Sequence, residues 1–154
     1  MPSPIEVLLC YAKEDESPGK ELMRHLGGLR RQKIFNFWHE GQISAGTERL
    51  QEIYKRLNTA HIILLLISQY FIDSDFCYLV EMKQAIERHE RGEASVIPII
   101  VRPVYYGRTP FAKLQVLPKN GDPITGSKWP NLDEALFAVA EGIREVAEEL
   151  SSKH

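Results

Sequence analysis

The sequence predicts an α/β protein: a parallel sheet covered by helices on both faces. Two observations carry this. Strand-like and helix-like segments alternate along the chain, the pattern of consecutive βαβ units. The strand segments are also near-continuous apolar runs, as expected of strands buried on both sides. The densest is Ile62 to Ile67, six aliphatic residues in a row. It is long enough for one buried strand and far too short to cross a bilayer. Such a strand belongs in the middle, and the expected sheet has five strands in the order 2-1-3-4-5, joined by right-handed crossovers.

Residues 5–11 form the first apolar run and the first strand. A polar loop follows. Ser17-Pro18 then reads as a helix start, Ser as cap and Pro in the first helical position, with Leu22, Leu26 and Leu29 at helical spacing. Gly27-Gly28 either weakens the end of that helix or lets it pack closely. Residues 34–38, rich in aromatics, form the second strand. Residues 39–46 are a loop in which Gly41 and Gly46 supply backbone freedom. Leu50, Ile53, Tyr54 and Leu57 make one apolar stripe on the next helix. The third strand is residues 61–67. The helix after it spans about 74–91, with Leu79, Met82, Ile86 and His89 as its buried stripe. Residues 95–101 form the fourth strand, and Pro98 places it near an edge because it lacks a ladder donor. Residues 102–128 are loop-rich, with a short fifth strand near 122–125. Asn131 caps the last helix, with Glu134 at the capping-box position.

The chain of 154 residues suffices for one domain with a real core. Hydrophobic residues make up 44% and charged residues 26%, ordinary for a globular protein. A net charge of -2 gives no reason to expect a nucleic-acid partner. The nearest thing to a basic cluster, Arg30-Arg31-Gln32-Lys33, reads as a solvated helix end. Cys10 and Cys77 lie in different elements, which argues against a disulfide framework or zinc site, and Cys10 reads as a small buried hydrophobe. The histidines show no metal-ligand spacing. The N-terminus lacks a basic region and an apolar signal core, so a cytoplasmic chain with no membrane partner is expected. The polar tail, residues 151–154, reads as a point where a longer parent protein is cut.

One segment stands out: Ser68-Gln-Tyr-Phe-Ile-Asp-Ser-Asp-Phe-Cys-Tyr-Leu-Val-Glu81. It follows the densest strand and brings Glu81 near the start of the next helix. In an α/β sheet the carboxyl ends of strands and the helix starts above them form the ligand crevice. Glu81 lies about 100° from Met82 on a regular helix, off the apolar stripe. A change to Gln there is expected to be nearly neutral for folding.

The order of elements and the motifs together resemble a bacterial TIR (Toll/interleukin-1 receptor) domain. The matching segments are Val7-Leu-Leu-Cys-Tyr-Ala-Lys-Glu-Asp15, Trp38-His-Glu-Gly-Gln-Ile-Ser-Ala-Gly46, Ser68-x5-Ser74-x-x-Cys77-x3-Glu81, Val96-Ile-Pro-Ile-Ile-Val-Arg-Pro103 and Leu114-Gln-Val-Leu-Pro118. The resemblance covers about residues 5–150. It implies a flavodoxin-like three-layer sandwich around a five-stranded parallel sheet. It also implies two roles: self-association in signalling, including bacterial immunity, and cleavage of NAD+ at the nicotinamide–ribose bond. NAD+ is then substrate, with no further cofactor and no metal. The essential glutamate of the family falls on Glu81. The loop of residues 39–46, carrying Ile43, corresponds to the mobile loop that borders the NAD+ site and packs on a neighbouring TIR domain.

The implied chemistry asks for little. Nicotinamide leaves as a neutral molecule and needs no general acid, while the ribose becomes cation-like and one carboxylate can stabilise it. Tyr11, at the end of the first strand, is placed to border a nicotinamide pocket, and Trp38, at the end of the second, to stack a ring. Ser68 and Ser74 line the approach as pocket wall or helix caps, and Cys77 lies one turn before Glu81. Thr47-Glu48-Arg49 and Val104-Tyr105-Tyr106 stand where aromatics are frequent in relatives; Arg49 could meet a phosphate. Two alternatives remain at this level: a catalytically silent interaction module, and a nucleoside-cleaving transferase. A phosphoacceptor receiver is excluded, because it needs Asp where this chain has Ser68.

Overall fold

The computed structural model describes residues 4–153. Four strands form one parallel sheet: β1 (Ile5–Cys10), β2 (Phe35–His39), β3 (Ile62–Ile67) and β4 (Ser95–Ile100), in the order β2-β1-β3-β4. β3 is interior, pairing Val7 with Ile62 on one side and Ile62 with Ser95 on the other. All six of its residues are buried. The side chains of each strand alternate between two cores. Val7, Leu9, Leu64, Leu66 and Ile99 face α1 (Glu16–His25), α2 (Gly27–Arg30) and α6 (Leu132–Lys153). Leu8, Cys10, Ile63, Leu65 and Ile67 face α3 (Arg49–Thr59), α4 (Gln69–Asp73) and α5 (Lys83–Glu90). The result is a three-layer sandwich of the flavodoxin-like kind.

The expected fifth strand does not form among the described residues. Its place beside β4 is shared by two fragments. Leu117 donates to the Pro98 carbonyl (2.9 Å) and accepts from Ile100 (2.8 Å), and Ile124 donates to the Ile100 carbonyl (3.0 Å). Prolines 118 and 123 supply no N–H and prevent either fragment from extending. Pro98 is tolerated because it faces this irregular edge: even-numbered residues of β4 bond outward, while Ser95 and Val101 donate inward to His61 and Ile67.

Three helical expectations need correction, and the open reading of Gly27-Gly28 is resolved. α1 begins at Glu16, not after Ser17, so Pro18 lies in the first turn, where its missing N–H costs nothing. A Cβ on Gly27 or Gly28 would meet nothing within 4 Å, so these glycines mark the break between α1 and α2, not a close packing. The expected helix 74–91 is split. A wide π-helical turn (Phe76–Met82) precedes α5, and this register turns Leu79 outward, 57% exposed. Leu50 and Tyr54 of the expected α3 stripe also face out; Ile53 and Leu57 alone are buried. The cap of α6 is as expected, with Asn131 Oδ1 accepting from the Glu134 amide at 2.9 Å. Ser151 to Lys153 continue α6, and His154 lies outside the described residues. No helix among the described residues is long and apolar enough to cross a membrane.

Candidate active site

The carboxyl end of the sheet opens into a cleft of about 810 Å³. Tyr11, directly after β1, forms one wall. Glu40, Gly41 and Ile43 of the loop after β2 form a second. Arg49 enters from the start of α3, and Tyr70, Ser74, Phe76, Cys77 and Glu81 come from the segment after β3. That segment is the stretch singled out in the sequence.

Glu81 is only 4% exposed, and its Oε1 is buried without a hydrogen-bond partner. A regular α-helix would have turned this carboxyl away from the Met82 face. The π-helical turn, bonded over a longer span, buries Cys77, Glu81 and Met82 together. Burial disfavours the charged form and pushes the Glu81 pKa up to about 7, against smaller opposing effects of the Cys77 and Cys10 thiols and of Arg49. The thiols lie close enough to moderate the shift without satisfying Oε1 in good geometry. Burial pushes the Cys77 thiol up to about 12, and burial together with the Glu81 carboxylate holds Cys10 well above its usual value. Both therefore stay protonated beside the carboxyl. Ser74 Oγ caps the turn by accepting from the Cys77 amide at 3.2 Å.

Tyr11 is tied to the loop. Its hydroxyl lies 3.1 Å from His39 Nδ1, and the Gly41 amide donates to the same nitrogen at 3.1 Å. Two donors on Nδ1 assign the imidazole proton to Nε2. Burial and the nearby Arg30 lower the His39 pKa, keeping the ring neutral. A Cβ at position 41 would stand 2.8 Å from that ring, so the contact requires glycine. Gly46, at φ +87°, supplies the left-handed residue that ends the loop. Ile43 of the loop is half-buried and packs against the α3–α5 core. Arg49 forms an ion pair with Glu40 and so joins α3 to the loop.

Of the six residues proposed from sequence, the structure brings together Glu81, Tyr11, Ile43 and Cys77. Trp38 and Ser68 lie outside the cleft. Trp38 is buried in the core with the Arg56 guanidinium 5.1 Å from its ring centroid. Ser68 is fully buried. It donates to Asp15 and accepts from the Phe71 amide at 3.2 Å, capping α4. Asp15, also fully buried, takes a second bond from Arg102 Nε at 2.7 Å, and the Arg102 guanidinium lies 5.4 Å from the Tyr70 ring. Sequence reasoning missed Asp15 and Arg102, 87 positions apart, because nothing local marks such a pair. It also missed the walls Tyr70 and Phe76, although both stand within the segment it singled out. Tyr105 and Tyr106 stay out of the cleft; Tyr106 stacks on Phe111 at 5.9 Å.

A parallel flavodoxin-like sandwich with this order of elements is an arrangement of the TIR class, and the family comparison agrees. The TIR domain family model matches residues 7–128, and the chain belongs to that family. It is 45% identical over 147 residues to the uncharacterized protein y4lF of Sinorhizobium fredii, covering 96% of this chain and 44% of that protein. The chain thus spans less than half the length of that relative. Among solved structures, the TIR domains of the activated Roq1 resistosome, which directly recognizes the pathogen effector XopQ, match over 62% of this chain and 56% of theirs, at 21% identity and a TM-score of 0.49.

Proposed function

We propose that this TIR domain cleaves NAD+ at the nicotinamide–ribose bond, as a glycohydrolase or cyclase activated by self-association in bacterial signalling or defence. The observation that carries the reading is Glu81: a buried carboxyl, with one oxygen unpartnered, at the floor of the cleft. Buried polar atoms without partners are rare and call for an explanation. Here the missing partner is supplied by substrate. The nicotinamide ribose lies over Glu81, and as the C–N bond breaks the developing ribosyl cation is stabilised by the carboxylate in a site with little water. The cationic pyridinium of NAD+ favours ionisation of a carboxyl whose own pKa is about 7. Tyr70 and Phe76 offer ring surface for the bases, and Arg49 a charge for the phosphates.

The second reading is a catalytically silent interaction module. It is favoured by the Arg49–Glu40 pair, which ties up a cation that substrate would need. The discriminating experiment is NAD+ consumption by concentrated domain and by Glu81→Gln, with products resolved by chromatography. A loss of at least about 10²-fold in folded Glu81→Gln supports the enzyme, the scale expected when one electrostatic stabiliser is removed. Equal turnover in the two removes Glu81 from the mechanism. No turnover by the assembled parent domain selects the silent module.

A further inference from the structure

Tyr11 also lines a second, smaller cavity of about 190 Å³ that the proposed chemistry does not use. Leu9 and Met23 line it together with Lys20, Arg24, Arg30 and His39. No carboxylate lines it. Lys20 pairs with Glu16 at 3.0 Å and Arg24 with Glu21, both solvent-exposed pairs within α1. Such pairs are weak and exchange readily. Arg30 has no carboxylate partner among the described residues; its one side-chain hydrogen bond is a long contact to the Met23 carbonyl, 3.5 Å. Three like charges therefore converge on one concavity without a counter-charge inside it. The run Arg30-Arg31-Gln32-Lys33, read from sequence as a solvated helix end, here contributes Arg30 to a cavity wall.

His39 adds direction. Because Tyr11 Oη and the Gly41 amide both occupy Nδ1, the ring proton sits on Nε2, leaving one neutral donor alongside the three cationic ones. Gln42 also lines the cavity, its side-chain oxygen already accepting from the His39 amide, and three cations with no carboxylate in the lining select an anion. The volume is below the range of about 300–1,000 Å³ that holds drug-sized organic ligands, so the ligand is an ion, not a nucleotide.

We propose that this cavity is a binding site for a small oxyanion of the phosphate type, separate from the candidate active cleft. The two spaces share the Tyr11 wall, and the His39 ring that lines the small cavity also holds Gly41 of the loop. Occupancy is therefore felt at the loop through the His39–Gly41 hydrogen bond, with no contact between the anion and the cleft.

The test is an NMR titration of the isotope-labelled domain with sodium phosphate at fixed ionic strength, against sodium chloride. The expected result is saturable shifts at Gly19, Arg30 and Gly41. Arg30→Gln should weaken binding at least about tenfold, the worth of one charge-assisted hydrogen bond. Lys20→Gln, on the exposed side of α1, should weaken it less and serves if Arg30→Gln does not fold. Lys13→Gln, which removes a cation from the large cleft without touching the loop, should leave phosphate affinity unchanged. Shifts that grow linearly with phosphate overturn the proposal. So does affinity lost in Lys13→Gln, or affinity retained in both Arg30→Gln and Lys20→Gln. No NAD+ is present, so the outcome is independent of whether the domain is an enzyme.

Discussion

Glu81 is the residue whose surroundings conflict most with its chemistry. A carboxyl with its pKa raised to about 7 holds its proton more tightly in the folded state than in the unfolded chain, where 4.5 applies. Its contribution to stability is therefore fully present below about pH 4.5 and is lost as pH rises through about 7. From those two values the ionised carboxylate costs about 3 kcal/mol at alkaline pH, as an upper estimate. The expectation from sequence, a near-neutral Glu81→Gln, is thus replaced by a pH-dependent one. The variant should match the parent near pH 5 and exceed it by about 1–3 kcal/mol at pH 8.5, since a buried amide itself costs something. Urea denaturation at the two pH values measures this, and a gap that stays constant would show that no charge is being buried. Turnover should run the other way, rising with pH through about 7 as the carboxylate forms. Arg49 opposes the raised pKa, so Arg49→Gln should move that limb to higher pH. Asp15 presents the opposite case, a buried carboxylate already supplied with partners. Arg102→Ala leaves it bonded only to Ser68, and because Arg102 is itself 31% exposed the loss should be about 2–3 kcal/mol, read by the same denaturation.

At the scale of elements, period-based reasoning located the regular elements, although on α3 it drew the apolar stripe too wide, taking in the exposed Leu50 and Tyr54. β3 was legible because six aliphatic residues admit no polar face, and α6 because Asn131 and Glu134 mark its start before a long apolar stripe. It failed where hydrogen-bond spacing departs from the ordinary. The Phe76–Met82 turn changes the angular step between residues, so a stripe drawn at the α-helical step put Leu79 inside and Glu81 outside, the reverse of what is found. It failed again where a side chain serves a distant partner. Asp15 was taken for a polar loop residue, yet Ser68 and Arg102 draw its carboxylate inward. Family motifs and the general position of the crevice pointed to Glu81 as a cleft residue, while its burial was not legible. The loop and α3 act as one element, joined by Glu40–Arg49. Arg49→Gln should therefore speed hydrogen exchange at the amides of residues 40–46, leaving those of β3 unchanged.

For the whole molecule, the question is whether one copy completes its own site. The loop of residues 39–46 is anchored at its start by His39, Gly41 and Gln42, whose side chain accepts from the His39 amide at 2.9 Å, and is half-seated by Ile43. Beyond it, α3 presents Leu50 and Tyr54 outward, 51% and 40% exposed, one turn apart. An isolated apolar side chain on a surface needs no explanation, but a pair beside a hinged loop suits a second copy better than water. If a neighbour fixes the loop over the cleft, NAD+ turnover should rise more steeply than linearly with protein concentration. Gly46→Pro separates this from simple crowding. At φ +87° a proline, locked near -65°, cannot hold the native loop end, yet residue 46 is exposed and touches no core group. The variant should fold with the parent's thermal midpoint to within a few degrees, lose self-association in sedimentation, and retain only the low turnover of the dilute parent. Ile43→Asp should do the same at some cost in stability, because that side chain is partly buried. A Gly46→Pro domain that assembles and turns over like the parent would mean that the loop is not the switch and that the cleft is complete in a single chain.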